Sequence, residues 1–162
     1  MSYADLARRW AETRTSDLDA HAELYAADEL FVIESRKVDD HLADTISDRA
    51  DLRRQLAFWT NEDAGNGQGV HSLTLRETLE GNGHLLLHWD YAVEGLDAFH
   101  GLPVEGRVLT SKGSTFLQLD GDGKIVLEST FLNETPLYQQ VGVPLVTPHY
   151  WVEGFDPAAL AA

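Results

Sequence analysis

The period of the hydrophobic pattern changes once along this chain, near residue 70. That change constrains the fold more than any other feature. Before it, apolar residues recur at helical spacing: Tyr3, Leu6, Ala7 and Trp10 in YADLARRWAETR, then Leu18, Ala22, Leu24 and Tyr25 in DLDAHAELYAA, with Ser16 or Asp17 as the cap. Leu52, Leu56 and Trp59 repeat the spacing in RADLRRQLAFWTNE, which Asp48 can cap. After it the pattern alternates. VHSLTLRETLEG and GHLLLHWDYAVEG are joined by Gly81-Asn82-Gly83, and RVLTSKGSTFLQLD and KIVLESTFLNET by Gly121-Asp122-Gly123; each pair reads as a β-hairpin. One strand, ELFVIES, precedes the third helix; residues 36–47 read as irregular and AGNGQG (64–69) as a loop. Helices first and a four-strand antiparallel meander second imply an α+β fold, a curved sheet wrapped over N-terminal helices.

Composition narrows the function. The chain has 162 residues, the size of one domain, and 43% hydrophobic content, enough for a core without staples. With no cysteine there is no disulfide framework and no thiolate chemistry. The net charge of −15 argues against nucleic acid and anionic membranes as partners, since a basic face is needed for either. No apolar run approaches the ~20 residues of a membrane span. MSYADLARRW has no apolar h-region, so no signal peptide is expected and a cytoplasmic location is.

In HLLLHWDYAVEG (84–95), His88 and Asp90 point to one face of a strand, and Leu87, Trp89 and Tyr91 to the other. An imidazole and a carboxylate two positions apart, with Cβ atoms about 7 Å from each other, can share a substrate or a water. Sharing a pocket, they can act as acid and base. On the other side of the choice, that face is simply wet. There is no HExxH motif, no G-x-S-x-G elbow and no glycine-rich loop leading into a helix, so no metal, nucleophilic serine or nucleotide is expected.

Three stretches carry a resemblance: DLDAHAELYAADELFV (17–32), FHGLPVEGRVLTSKGSTFLQLDGDGKIVLES (99–129) and LYQQVGV (137–143). In order and spacing they resemble the SnoaL-like polyketide cyclase group of the nuclear transport factor 2-like superfamily. The resemblance implies a cone-shaped antiparallel sheet closed by helices around one pocket. It also implies a homodimer and a domain over 1–143, leaving 144–162 as a tail packed on the domain or its partner. It implies a small apolar or weakly polar ligand, no cofactor, and acid–base chemistry such as cyclisation, isomerisation or dehydration.

The cyclases' His and Asp positions fall here on Phe116 and Thr130, neither of which takes a proton near neutral pH. Limonene epoxide hydrolase is more distantly similar; its pattern places His88 and Asp90 on the pocket face, with Thr130 opposite. On that likeness Asp90 is the expected base and His88 its acid partner. Thr130, Ser114, Glu128, Phe116, Tyr25 and Trp59 are then expected to bind substrate, and Trp89 and Tyr91 to pack on the outer side. Epoxide hydrolysis by water activated at Asp90, and ligand binding without turnover, stay open as alternatives. His149, Tyr150, Trp151 and Phe155 of the tail could form an arm or a lid.

Overall fold

The computed structural model describes residues 2–26, 48–62, 64–145, 153–154 and 156 in full, and 32–37 and 44–46 as backbone. The four tail residues His149, Tyr150, Trp151 and Phe155 lie outside the described residues.

Three N-terminal helices form where the capping chemistry allows. In α1 (Tyr3–Arg14) the Ser2 hydroxyl accepts from the Asp5 N–H at 3.1 Å. In α2 (Leu18–Ala22) the Asp17 carboxylate accepts from Ala20 N–H at 2.9 Å. Strands β1 (Val32–Lys37) and β2 (Asp44–Ile46) come next, then α3 (Arg49–Trp59), whose Asp48 cap accepts from Asp51 N–H at 2.8 Å. α2 is shorter than its apolar spacing predicts. Leu24 and Ala26 leave the helix to exchange backbone hydrogen bonds of 2.9 Å with Ile125, so the chain joins the sheet instead.

The alternating half forms β3 (Gln68–Gly81), β4 (His84–Leu96), β7 (Leu109–Leu119) and β8 (Ile125–Leu132), with a small hairpin of β5 (Ala98–Phe99) and β6 (Leu102–Pro103) in the connection. The main sheet has the order β2-β1-β8-β7-β4-β3. It is curved without closing, and its pairings are antiparallel except β1 with β8, which run parallel. The segment 36–47, read as irregular, thus contributes the edge strand β2. The short helix α4 (Thr135–Gln140) follows β8.

The inner face of β4 carries Leu85, Leu87, Trp89, Tyr91 and Val93, all buried, and Leu6, Ala7 and Trp10 of α1 join them in one core. Burying each such side chain contributes roughly 1.5–3 kcal/mol, so this stripe decides which way the strand faces. One glycine makes the layer possible. Gly113 pairs with Trp89 across β4 and β7, and a Cβ built on it would meet the indole Cη2 at 2.1 Å. The ring therefore lies flat over the glycine, while its Nε1–H donates to Thr115 Oγ1 at 3.0 Å. Gly113→Ala is expected to lower stability by ~1–3 kcal/mol through overpacking. A urea midpoint within experimental error of the parent would contradict this.

Candidate functional site

The alternation read from the sequence is present, but the faces are opposite to the expectation for four residues. His88, Asp90, Ser114 and Phe116 all lie on the outer face of the sheet, because the apolar stripes of β4 and β7 take the inner one. His88 Nδ1 sits 3.1 Å from Glu77 Oε2, and Asp90 is ion-paired with Arg76. A β-bulge between Leu75 and Glu77 gives β3 its extra residue here, which brings Arg76 to the carboxylate. His88, Asp90 and Ser114 do come together, in an open groove with Arg76, Lys112 and Phe131, and not in an enclosed cavity. Trp89 and Tyr91, expected outside, are inside.

A pocket of about 370 Å³, less open than the grooves of the outer face, lies on the inner face of the sheet. Depressions of about 450 and 440 Å³ on the outer face are larger but more open to solvent. The cavity walls are aromatic: Phe58 and Trp59 from α3, Tyr91 from β4, and Phe99 from the β5–β6 hairpin. Thr130 from β8 and Trp59 also line it, without His88 and Asp90, which Thr130 was expected to face. Three titratable groups that the sequence did not single out, His71, His100 and Glu134, complete the wall beside Tyr91, which was expected on the outer side.

His71 and Tyr91 form a pair. His71 Nδ1 and the Tyr91 hydroxyl are 2.7 Å apart, and both residues are buried. Burial lowers the His71 pKa, against a small pull from the Gln68 carbonyl, and so favours the neutral ring. Burial, with the nearby Glu134 charge adding to it, raises the Tyr91 pKa, so the phenol stays protonated. His71 Nε2 is buried with no hydrogen-bond partner among the described residues. At the mouth, His100 Nε2 lies 3.8 Å from the Glu134 carboxylate, and its ring stacks on Tyr138 at 16°. His100 holds a left-handed φ of 48°, a strained conformation for a residue with a Cβ.

Behind this cavity lies a second polar cluster. Glu128 is 1% exposed and bonded at both oxygens: Oε1 accepts from Arg14 Nη1 (2.9 Å) and Thr130 Oγ1 (2.7 Å), Oε2 from Trp10 Nε1 (3.0 Å) and Tyr25 Oη (2.5 Å). A carboxylate offers about four acceptor positions, so none is left for a substrate. Tyr25 is turned to Glu128 in the same way. Both residues support the cavity from behind and do not line it. Burial pushes the Glu128 carboxyl up, but the Arg14 guanidinium, then the Tyr25 hydrogen bond, outweigh it and bring the pKa down to about 2. A one-way hydrogen-bond chain ends on this carboxylate. The Trp89 indole, which can only donate, gives to Thr115, Thr115 lies 3.0 Å from Thr130, and Thr130 gives to Glu128.

His71 and Tyr91 were within reach of the sequence. His71 alternates with Leu73 and Leu75, and Tyr91 with Leu87 and Trp89. A titratable side chain in register with an apolar stripe is the signal, and it selects the inner face without any likeness to other proteins.

No family model matches the sequence, and no curated protein matches it. Solved structures do match. AclR of Streptomyces galilaeus, a candidate hydroxylase, is 19% identical, with a TM-score of 0.67 over 98% of this chain and 90% of its own. A candidate SnoaL-like polyketide cyclase of Jannaschia sp. CCS1 is 14% identical, with a TM-score of 0.63 over 88% and 92%. A protein of ketosteroid isomerase-like fold from Catenulispora acidiphila DSM 44928, solved with trimethylamine, is 17% identical, with a TM-score of 0.62 over 88% and 96%. An NTF2-like protein and an epoxide hydrolase/cyclase-like enzyme are also among the neighbours. At these identities the likeness shows the fold: an α+β, NTF2-like curved sheet, as the three sequence stretches imply.

Proposed function

We propose that this chain is a small-molecule enzyme that moves a proton on an uncharged or weakly charged, largely apolar substrate held in the inner cavity. Cyclisation, isomerisation and dehydration are reactions of this kind. The observation that carries the reading is the His71–Tyr91 pair: a hydrogen-bonded, uncharged donor–acceptor couple in an aromatic cavity, with one nitrogen to spare. In the productive arrangement His71 Nδ1–H donates to the Tyr91 oxygen, and the Tyr91 O–H is then free for a substrate oxygen. A preorganised donor of this type stabilises the negative charge that develops when a neighbouring C–H is deprotonated. Glu134 is the carboxylate on the same wall and takes the role of proton acceptor.

Trp59 and Thr130, on the same wall, are the substrate contacts in this reading. Asp90 and His88 do not reach this cavity, so the epoxide-hydrolase alternative loses the residue that was to activate water. The same placement favours a second reading, a ligand-binding protein without turnover.

Hydrogen–deuterium exchange at the α-carbons of 2-tetralone, an uncharged bicyclic ketone, separates the two by NMR. An enzyme of the proposed kind accelerates exchange above matched buffer. Glu134→Gln is expected to return the rate to near background, and Tyr91→Phe to lower it by about 10²-fold, as loss of one oxyanion donor does. Asp90→Asn serves as the control and leaves the rate unchanged. Saturable binding of 2-tetralone with no exchange above buffer would leave the binding protein as the function.

A further inference from the structure

β3 is one of the two edges of the main sheet, and an edge strand carries a row of backbone N–H and C=O groups with no strand beside them among the described residues. At His71 that row is occupied by a side chain. The His71 N–H donates to Asn61 Oδ1 at 2.6 Å, and Asn61 Nδ2–H donates back to the His71 carbonyl at 3.0 Å. A carboxamide has the same donor and acceptor as a peptide group, so Asn61 pairs with β3 as one residue of a further strand would. Its second N–H donates to the Thr15 carbonyl at the C-terminal cap of α1, at 2.8 Å. One side chain thus ties together the end of α1, the end of α3 and the start of β3.

Asn61 follows the C-cap of α3 and holds a left-handed φ of 62°. Glycine is the usual residue at that helix position and carries no Cβ penalty there. An asparagine in its place makes sense through what its carboxamide does. The rings of Phe58 and Trp59 lie against the His71 ring, at centroid distances of 4.7 and 5.6 Å. The four-residue stretch 58–61 therefore fixes both the backbone and the ring of His71, and the ring in turn meets Tyr91.

We propose that Asn61 is a positioning residue for the cavity: it sets the place of the His71 imidazole and, through it, the direction of the Tyr91 hydroxyl. This rests on the reading of His71 and Tyr91 as the working pair. Two substitutions isolate the effect. Asn61→Gly keeps the left-handed conformation and deletes the carboxamide. Asn61→Asp keeps the shape and the acceptor for His71 N–H, but turns a carboxylate oxygen toward two carbonyls.

The readout is the long-range ¹H–¹⁵N spectrum of the imidazoles, with Tyr91→Phe as the reference for a broken pair. The native chain should show His71 in one fixed neutral tautomer. Asn61→Gly should show averaged tautomers, and its 2-tetralone exchange should be at least tenfold slower while cooperative unfolding persists. If both variants keep the native His71 signals and lose only stability, Asn61 is a structural tie and the proposal is wrong. If the native chain shows no exchange above buffer but its His71 signals still change in the variants, the positioning stands and the enzymatic reading falls.

Discussion

Arg14→Met is expected to lower folding stability by ~3–5 kcal/mol, the cost of removing one partner from a buried ion pair. The Arg14 and Glu128 side chains are 7% and 1% exposed, so water cannot take over the charge that is left. The guanidinium also lies over the Trp10 ring, 4.7 Å from its centroid, and 5.3 Å from that of Trp59. Methionine keeps most of the packing volume, which confines the loss to charge and hydrogen bonding. The comparison that tests this is Arg14→Met with and without Glu128→Gln. Removing the stranded charge should recover part of the loss, because Trp10, Tyr25 and Thr130 can still bond a neutral amide. A loss below about 1 kcal/mol in the single variant, the scale of an exposed pair, would mean that Glu128 reaches solvent. Because Trp59 and Thr130 belong both to this cluster's surroundings and to the cavity wall, a fall in stability here should also blunt ligand binding.

The elements that set this cluster were legible because their signals are local. Glu128 and Thr130 share a face of β8 by alternation alone, and the hairpins at 81–83 and 121–123 follow from glycine positions. The choice of face on β4 was not settled by alternation, since a period of two is the same read from either side. A shift of one residue in the frame of reference exchanges the faces completely. The likeness to an epoxide hydrolase favoured the polar face, while the physical weight of Leu85, Leu87, Trp89 and Tyr91 favoured the other, and the apolar stripe prevailed. The bulge at Arg76 and the parallel pairing of β1 with β8 depend on contacts far apart in the chain, for which the sequence carries no local mark. Glu134 and His100 reach the cavity only because the chain turns after β8 and around the β5–β6 hairpin.

Acidification should destabilise the chain in two stages, beginning well above the carboxylate range. His21 is fully buried between Thr13 Oγ1, 2.9 Å from its Nδ1, and Tyr25 Oη, 3.3 Å from its Nε2. Burial, with the Arg14 charge adding to it, lowers its pKa from 6.5 to about 3. The unfolded chain takes up a proton at this histidine below pH 6.5 while the folded chain does not, so stability is complete above 6.5 and is lost as pH falls toward 3. One such proton gives a slope of roughly 1.4 kcal/mol per pH unit. His71 is shifted in the same direction by burial and adds to the first stage. Glu128, depressed from 4.5 to about 2, contributes stability that is complete above 4.5 and is lost below it, so it adds only to the second. Urea unfolding of the native chain and of His21→Gln, followed from pH 7 to 4.8, isolates the histidine. The variant is less stable at neutral pH, but its stability should fall less steeply, by about one proton's worth of slope. Parallel curves for the two proteins would show that His21 is protonated in the folded state. The network from Thr13 through Tyr25 to Glu128 would then hold a second positive charge beside Arg14.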